Sequence, residues 1–568
     1  MKQLITDKEI KDYFKPQGKL NNVLTEYEYR RQQEVMSLGI TRAFKQSKHL
    51  LVEAGTGIGK SFAYLVPSIL LALRADEQII ISTNTINLQE QLIAKDIPLL
   101  QKLFDLDCKA VLAKGRRNYL CWRRFNQYQV TSQLTDDEVK QLNSIDQWIR
   151  NTNTGCLSDL DFKVDNALWS GIASDSRLCL RSKCPNYNYC FFIEARNRLQ
   201  DADIIVANHH LLFADISLRE KGDFSEGMVV LPHYQRVIFD EAHNVEEVAT
   251  RYIGDKISSR EIIDAVKFLY NPYKKRGDLL KLRAESTVLN PELKEQIQHK
   301  IDQKLIPRLQ NVLERIKASV PKVENFMEQF NTKNKLRLTA EIRDYQLWTE
   351  NLVVEFENIL LKLNNIKRSL ISLLELLALG EEKLKDYEQL TTMLEQKLQI
   401  IIETKEILDR IINFKQEEQM VYWLEKNYNS YSLHSAPLNI AQQLQEQLLN
   451  RLETVIFTSA TLTINNSFDF IKKNLGLKGQ ETAVLNLGSP FNYNQQLRVG
   501  VVKDIVSPKN DQFIKQVLSK VKKVLTVMQG RTLLLFNSYY RLNQVYEQLK
   551  SELNELEIDH LFCQGQKP

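Results

Sequence analysis

The sequence predicts an α/β fold built around a parallel β-sheet, and three observations support this fold class. Six short apolar, β-branched runs have the composition of buried parallel strands. Most of these runs are followed directly by polar residues that can do chemistry, and a Gly-rich loop joins a further apolar run to a helical pattern. The six runs cover residues 78–82, 108–112, 203–206, 236–239, 454–457 and 532–536.

The Gly-rich loop spans residues 53–61 and reads EAGTGIGKS, after the apolar run 49–52 and before a helical pattern. A strand, a Gly-rich loop ending in Lys-Ser and a helix form the context of a phosphate-binding P-loop. Backbone N–H groups and the positive end of the helix attract phosphate oxygens there. The alternative is a plain Gly-rich turn, whereas a GxGxxG dinucleotide loop would need open backbone where Lys60 and Ser61 stand.

The loop supplies the residues that we predict to bind a nucleotide. Lys60 would reach the β- and γ-phosphates, and the Ser61 hydroxyl would bind Mg²⁺. The common motif has a glycine where this chain has Ala54. The predicted phosphate-binding residues are Ala54, Gly55, Thr56, Gly57, Ile58, Gly59, Lys60 and Ser61.

A second candidate segment, Asp240-Glu241-Ala242-His243, closes the predicted strand at 236–239. The Asp240 carboxylate would hold Mg²⁺, and Glu241 would activate the water that attacks the γ-phosphate. The alternatives are a solvated acidic loop and a zinc site at His243, although the nearby histidines lack the spacing of an HExxH helix. Polar segments also follow other strands, at 83–85, 208–210 and 459–461. Since ligands gather at the carboxyl ends of parallel strands, we expect these segments to converge on one site.

Composition limits the classes of protein to consider. A chain of 568 residues with 43% hydrophobic residues predicts several globular domains, and a net charge of +5 by itself does not indicate nucleic-acid binding. No apolar run approaches the roughly 20 residues that cross a bilayer, and residues 1–15 lack the apolar core of a signal peptide. We therefore expect a cytoplasmic protein without a membrane partner.

Two blocks interrupt the α/β pattern. The first, residues 114–199, holds five of the seven cysteines, and Cys179, Cys184 and Cys190 form C-x4-C-x5-C downstream of Cys121. Such spacing suits a [4Fe–4S] cluster or Zn²⁺, and it does not decide between them. The second block, roughly 257–414, is helical in pattern with a heptad-like seam and predicts a helical hairpin or bundle.

A basic and aromatic segment adjoins Cys121. Cations that track phosphates, interleaved with rings that stack on bases, suit a single-stranded nucleic-acid path. The alternative is a helix whose rings face the core of the block. The segment comprises Lys114, Arg116, Arg117, Tyr119, Trp122, Arg123, Arg124, Phe125 and Tyr128.

Several motifs in order resemble those of superfamily 2 helicases. Residues 53–61 and 240–243 resemble motifs I and II, residues 81–92 resemble motif Ia, and residues 458–462 resemble motif III. Together with the segments ANHHLL at 207–212, GSPFN at 488–492 and RTLLLFNS at 531–538, they resemble the Rad3/XPD group, and within it the bacterial DinG-like helicases.

The resemblance implies a RecA-like P-loop motor domain (1–113, 200–256 and 430–487), an iron–sulfur insert (114–199), a helical arch insert (257–429) and the start of a second RecA-like domain (488–568). It implies four ligands of a [4Fe–4S] cluster, Cys121, Cys179, Cys184 and Cys190. It also implies that Arg30 and Gln33 recognise the adenine of ATP, and that residues 83–85 contact the tracking strand. The implied activity is ATP-dependent 5′→3′ movement on single-stranded and forked or structured DNA, in DNA repair or replication.

The family's Q-x-x-G-R-x-x-R segment, which supplies arginines to the γ-phosphate, does not occur in this sequence. We therefore expect a C-terminally incomplete helicase whose turnover is impaired. The alternatives are a non-catalytic DNA-binding or scaffold protein with a degenerate motor, and a zinc-binding nucleotide switch without a nucleic-acid partner.

Overall fold

The computed structural model describes residues 5–24, 27–104, 107–131, 134–220, 230–273, 275–330, 332, 334–380, 387–414, 419–477, 482–551 and 560–564. The chain divides into two compact units, Met1–Pro490 and Phe491–Pro568. The sequence motifs for phosphate binding and hydrolysis all lie in the first unit.

A seven-stranded sheet in which every strand pairing is parallel forms the centre of the first unit. The order across the sheet is β11-β1-β10-β5-β2-β4-β3, so the α/β fold with a parallel sheet is confirmed. Strand β11 was not predicted, because its polar ends and largely exposed edge position hide the apolar signature of a buried strand. The strands are β1 (His49–Glu53), β2 (Ile79–Thr83), β3 (Ala110–Leu112), β4 (Ile204–Asn208), β5 (Arg236–Asp240), β10 (Thr454–Ser459) and β11 (Thr482–Asn486).

The sheet is buried on both faces, which explains why its strands are apolar without alternation. Successive residues of one strand enter different cores: Ile79 and Ile81 of β2 face one helical layer, and Ile80 faces the other. The helices of the two layers and the sheet edges are α1 (Asp7–Phe14), α2 (Arg31–Gln46), α3 (Lys60–Ala75), α4 (Ile86–Gln91), α5 (Ile97–Phe104), α10 (His209–Glu220), α11 (Val245–Ile253), α19 (Ala441–Gln447) and α20 (Asp469–Leu475).

The cysteine block, residues 114–199, leaves the sheet after β3 and returns to it at β4. Its small core is formed by aromatic and aliphatic side chains, among them Phe125, Trp169 and Phe192. Its helices are α6 (Trp122–Thr131), α7 (Asp136–Ile149), α8 (Asn166–Ile172) and α9 (Phe191–Gln200), with short 3₁₀ turns around Cys179, Cys184 and Cys190.

The helical insertion, which we define as residues 255–437, has its own core of long helices packed on a small sheet. Helices α17 and α18 pack against each other, in agreement with a hairpin; Leu384, at the start of the predicted seam, lies outside the described residues. The helices are α12 (Ser259–Leu269), α13 (Asp278–Glu285), α14 (Pro291–His299), α15 (Ile306–Gln329), α16 (Ala340–Arg343), α17 (Val354–Ala378) and α18 (Tyr387–Ile412).

A four-stranded antiparallel sheet in the order β6-β9-β8-β7 closes this insertion, and the helical pattern did not predict it. Strand β9 pairs with both β8 and β6, so the insertion's sheet extends past residue 429, where we expected the insertion to end. The strands are β6 (Asp255–Ser258), β7 (Lys335–Arg337), β8 (Met420–Asn427) and β9 (Ser430–Pro437).

The second unit contains α21 (Tyr493–Gln496), α22 (Phe513–Met528) and α23 (Tyr539–Lys550). The strand that we predicted at residues 532–536 is wrong: this segment is extended but forms no strand. The described residues of this unit offer no neighbouring strand to pair with it, and Leu533 and Leu535 are 83% and 86% exposed. An apolar alternating run forms a strand only when another backbone completes its hydrogen bonds.

Candidate nucleotide-binding and hydrolysis site

The P-loop connects β1 to α3 in the predicted way. Gly57 and Gly59 both have φ of 83°, a left-handed conformation that glycine adopts without a steric penalty. A Cβ at Gly59 would also collide with the amide of Gln33. The loop backbone is anchored at its start, where the Ala54 N–H donates to the Ser459 carbonyl at 2.9 Å and the Gly55 N–H donates to the Gly488 carbonyl at 3.1 Å.

Arg30 and Gln33 contact the back of the P-loop. The Gln33 Nε2 donates to the Gly59 carbonyl at 3.0 Å, and Arg30 donates to the Gly57 carbonyl. Gln33 is only 4% exposed. Both side chains therefore bind backbone carbonyls of the loop, while their role in adenine recognition stays a prediction.

The residues that we predicted to take part in hydrolysis lie beside the P-loop. The Lys60 Nζ is 3.5 Å from Glu241 Oε1, and the Tyr64 hydroxyl donates to Asp240 Oδ2 at 3.2 Å. Strand β5 ends at Asp240, and the backbone then turns through Glu241 with φ of 57°. The structure therefore brings together a cation, a buried carboxylate and a second carboxylate at the carboxyl end of the sheet, as we expected from the sequence.

Asp240 is a carboxylate that the protein holds in an unfavourable environment. Burial, together with the neighbouring charge of Glu241, raises its pKa from 3.8 to about 6, although Lys60 and the Tyr64 hydroxyl act in the opposite direction. A desolvated carboxylate without a full counter-charge is costly, and a divalent cation supplies such a charge. The role of Asp240 as a Mg²⁺ ligand stays a prediction from the sequence.

A second set of contacts links Glu241 to strand β10. The His243 Nδ1 is 2.8 Å from Ser459 Oγ, and both lie 3.4 Å from Glu241 Oε2. The Thr461 N–H reaches the same hydroxyl at 3.5 Å. Because these contacts to Glu241 are long, its side chain is surrounded by polar groups but is not tightly fixed by any of them.

Glu53 is a site residue that the motif search did not select. Its carboxylate accepts the backbone N–H groups of Leu462 and Thr463, each at 2.5 Å, and the Thr463 hydroxyl at 2.8 Å. Burial opposes ionisation of Glu53, but these hydrogen bonds outweigh it and lower its pKa. Glu53, the last residue of β1, therefore fixes the segment that follows β10. The two segments are neighbours because β1 and β10 pair in the sheet, which the sequence alone does not show.

Asp96 is a second residue of this kind. It closes a π-helical turn between α4 and α5, is 4% exposed and accepts from the Gln91 Nε2 at 3.1 Å. Burial raises the pKa of Asp96, while Gln91, Lys95 and Ser61 lower it. The predicted Mg²⁺ ligand Ser61 thus lies between Asp96 and the hydroxyl of Tyr64.

The four cysteines of the predicted ligand set lie close enough together to influence one another. Burial raises the pKa of both Cys184 and Cys190, and the Cys121 and Cys179 thiols add to this effect. Backbone N–H groups point at three of the sulfurs: Arg181 N is 3.4 Å from Cys179 Sγ, and further amides lower the pKa of Cys184 and Cys190. Such amide donors are typical around metal-bound thiolates.

Across the described ranges, no three His, Cys, Asp or Glu side chains lie close enough together to hold a single metal ion. The donors of the cysteine block are thiols with directed amides, which fits an iron–sulfur cluster chemically.

Most rings of the basic and aromatic segment face the interior, in contrast to the stacking role that we predicted for them. Tyr119 and Phe125 are 5% and 1% exposed, and Trp122 stacks on Phe191 at 5.9 Å. These rings form the core of the cysteine block. Two cations of the segment also stabilise the cysteine block through hydrogen bonds to its backbone. Arg123 donates to the Leu178 carbonyl, and Arg124 donates to the backbone carbonyls of residues 170 and 173.

A cavity of about 660 Å³ lies between the cysteine block and the helical insertion. Seven Lys or Arg residues and only three Asp residues line it, together with the rings of Tyr128 and Phe268. The Gln396 Nε2 of α18 donates to the Cys179 carbonyl at 2.5 Å and joins the two walls. The lining cations are Arg123, Arg124, Arg260, Lys267, Arg276, Lys281 and Lys397.

Comparison with known proteins agrees with this site. A DEAD_2 family model matches residues 168–262, the segment that carries Asp240 and His243. The ATP-dependent DNA helicase YoaA of Haemophilus influenzae is 28% identical over 549 residues, which are 96% of this chain and 77% of YoaA. The ATP-dependent DNA helicase DinG of Photobacterium profundum is 29% identical, over 94% of this chain and 77% of DinG.

The chain is thus similar in sequence to DinG and YoaA helicases along most of its length. A solved structure titled "Truncated XPD" aligns with this chain at 14% identity and a TM-score of 0.33, over 81% of this chain and 100% of that one. C-terminal incompleteness of the chain stays a prediction. No helix within the described residues is long and apolar enough to span a membrane.

Proposed function

We propose that this chain is an ATP-dependent DNA helicase that couples ATP hydrolysis to 5′→3′ movement on single-stranded DNA. The observation that carries the proposal is the convergence of Lys60, Asp240 and Glu241 at the carboxyl end of one parallel sheet. A RecA-like motor needs a phosphate-binding cation, a carboxylate for Mg²⁺ and a carboxylate for water at this place. The direction of movement follows from the resemblance alone.

In this function each side chain has a defined task. The P-loop amides and Lys60 would bind the phosphates of ATP, and Ser61 and Asp240 would hold Mg²⁺, which neutralises phosphate charge. Glu241 would accept a proton from the attacking water. The loose contacts of Glu241 with His243 and Ser459 would allow it to be reoriented when nucleotide and DNA bind.

The test measures ATP hydrolysis by the full chain with and without single-stranded DNA, followed by unwinding of a forked duplex. DNA-stimulated hydrolysis with 5′→3′ unwinding supports the proposal. DNA binding without nucleotide hydrolysis would instead favour the non-catalytic DNA-binding protein, and hydrolysis indifferent to DNA would favour the nucleotide switch.

For the cysteine block we propose a [4Fe–4S] cluster held by Cys121, Cys179, Cys184 and Cys190. The amides directed at the sulfurs support thiolates at these positions. When bound, the cluster would cross-link the short 3₁₀ turns to the start of α6 and so give the block rigidity that its small core alone does not supply.

An anaerobic preparation is expected to be brown and to absorb near 400 nm, and Cys184→Ser should abolish this absorbance together with the bound iron. The matched control is Cys156→Ser, because Cys156 is a buried thiol of the same block outside the predicted ligand set. A colourless preparation with stoichiometric zinc, or equal loss of absorbance in both variants, would contradict the cluster.

We further propose that single-stranded DNA passes through the cavity between the cysteine block and the helical insertion. The excess of cations over carboxylates supports this path, because phosphate contacts dominate affinity for DNA. The rings of Tyr128 and Phe268 lie at the cavity wall, where DNA bases could stack on them. The rings of Tyr119 and Phe125 are buried and are not available for stacking.

Replacing Lys267 and Lys281 together with Gln should weaken binding of single-stranded DNA by about tenfold. The slope of log K against log salt should become shallower by about 1.4, since each lost phosphate contact contributes roughly 0.7 on a single strand. Fluorescence anisotropy at several salt concentrations measures both quantities. Lys472 and Lys473 on α20 do not line the cavity, so their double Gln variant is the control, and equal effects in the two variants would exclude this path.

A further inference from the structure

His209 is a buried imidazole to which the hydrolysis reaction gives no task. It is the first residue of α10, directly after β4, and is fully buried. Burial lowers its pKa to about 4, so the ring is neutral at neutral pH. A neutral buried imidazole has one donor and one acceptor nitrogen, and each needs a partner in the protein.

One nitrogen of His209 contacts strand β2. The Nδ1 lies 2.7 Å from the Ser82 hydroxyl, which is also fully buried. In the sheet register Ser82 stands opposite Phe239 of β5 on one side and Ala207 of β4 on the other. Ser82 is the penultimate residue of β2, and its two register partners are the penultimate residues of β4 and β5. The segment 83–85 begins with the next residue, the last of β2.

The other nitrogen faces the hydrolytic strand. The Nε2 is buried and makes no well-formed hydrogen bond within the described residues, yet the backbone of Glu241 and Asp240 is near enough to raise the pKa of the ring. The ring of His209 also packs against Phe239, the residue before Asp240, at 5.5 Å between centroids. This arrangement fits the tautomer in which Ser82 donates to Nδ1 and Nε2–H is directed at a backbone carbonyl.

We infer that His209 is a positioning residue that couples the segment after β2 to the hydrolytic carboxylates at the end of β5. This inference rests on the proposed function, in which residues after β2 contact DNA and Glu241 activates water. Movement of Ser82 would shift the imidazole, and a tightened hydrogen bond from Nε2 would fix the peptide between Asp240 and Glu241. Since Glu241 has a positive φ and only long side-chain contacts, a fixed peptide would decide where its carboxylate points.

Two substitutions separate the two nitrogens of the ring. In His209→Gln the amide nitrogen can occupy the place of Nε2, whereas in His209→Asn the shorter amide reaches only the Ser82 side. We expect His209→Asn to lower the stimulation of ATP hydrolysis by single-stranded DNA about tenfold, a usual size for coupling between sites. Hydrolysis without DNA and the Kd for single-stranded DNA should stay within about threefold of the unaltered chain, and His209→Gln should recover part of the stimulation.

Ser82→Ala provides the second arm, because it removes the partner hydroxyl with little change of volume. Ser82→Ala should also reduce the stimulation of ATP hydrolysis by single-stranded DNA. Combining it with His209→Asn should reduce the stimulation little further, because both changes interrupt the same contact between Ser82 and His209. Full stimulation in His209→Asn, or equal loss of basal and stimulated hydrolysis in every variant, would overturn the inference. An unaltered chain that DNA does not stimulate would overturn the proposed function itself, so the two failures are distinguishable.

Discussion

Glu241→Gln should stop ATP hydrolysis while ATP still binds. Glutamine keeps the size and polarity of the side chain, so the contacts with Lys60, His243 and Ser459 can persist, but it cannot accept the proton of the attacking water. We expect kcat to fall by about 10²–10⁴-fold, the usual contribution of a general base. Steady-state hydrolysis assays and equilibrium binding of a fluorescent ATP analogue measure the two effects separately.

Glu247→Gln is the matched control for this change. Glu247 follows the same segment on α11, but its side chain is 68% exposed and pairs with Arg251 within the helix. Its replacement should leave kcat within about twofold, since exposed substitutions of this kind have small effects. Equal loss of kcat in both variants, or loss of ATP binding in Glu241→Gln, would contradict the role of Glu241 as the base.

Asp240→Asn should abolish hydrolysis and at the same time stabilise the fold. The charge of Asp240 is desolvated, and burial with the Glu241 charge raises its pKa to about 6. Asparagine removes this charge and keeps an oxygen that can accept from Tyr64. We expect the free energy of unfolding at pH 7.5, measured in EDTA, to rise by about 3 kcal/mol.

The pH dependence of this gain has a defined sign. The folded pKa of Asp240 lies above the usual value of 3.8, so the folded protein holds an additional proton between about pH 4 and pH 6. The stability of the unaltered chain therefore falls as the pH rises through this window. The advantage of Asp240→Asn should be full above pH 6 and should disappear near pH 4, where Asp240 is protonated and uncharged.

Denaturant unfolding at pH 4.5 and pH 7.5 measures this difference, provided that the chain remains folded in both buffers without denaturant. Asp12→Asn serves as the control, since Asp12 lies at the surface beside Lys15, and the change should leave the stability unaltered within the error of the measurement. If Asp240→Asn is no more stable than the unaltered chain at pH 7.5, burial of the ionised Asp240 carboxylate does not destabilise the fold.

Most residues of the candidate site could be predicted from the sequence, because they lie in short, continuous motifs. The P-loop reads from Ala54 to Ser61 without interruption, and Asp240 follows directly on an apolar strand. The rule that ligands gather at the carboxyl ends of parallel strands then predicted that these distant segments meet. The structure places the Lys60 ammonium and the Glu241 carboxylate 3.5 Å apart, as that rule requires.

The residues that the sequence did not reveal act through partners that lie far away in the chain. Glu53 binds the backbone after β10, more than 400 residues later, and nothing local distinguishes it from an ordinary carboxylate at a strand end. His209 needs Ser82, which the strand order brings beside it. Periodicity predicts that a strand exists, but it does not say which strands are neighbours.

Tertiary packing also decided which rings of the basic and aromatic segment around Cys121 are buried. Alternating cations and rings are compatible with a nucleic-acid surface and with a small core, and the sequence left both open. Packing against Phe191 and Phe192 buries Tyr119 and Phe125, because so small a block has few other large side chains to build its core. The same logic applies to the extended segment at 532–536, which lacks a neighbouring strand among the described residues.

The sequence by itself predicted the class of fold, the Gly-rich loop 53–61 and the carboxylates of Asp240 and Glu241 as a candidate site, since each depends on residues adjacent in the chain. Only the tertiary structure decided how Asp240 is desolvated, how Glu53 and His209 tie strand ends together, and where the cations of the cavity converge. Desolvation and charge convergence depend on the spatial order of elements, and that order is fixed by packing between distant segments.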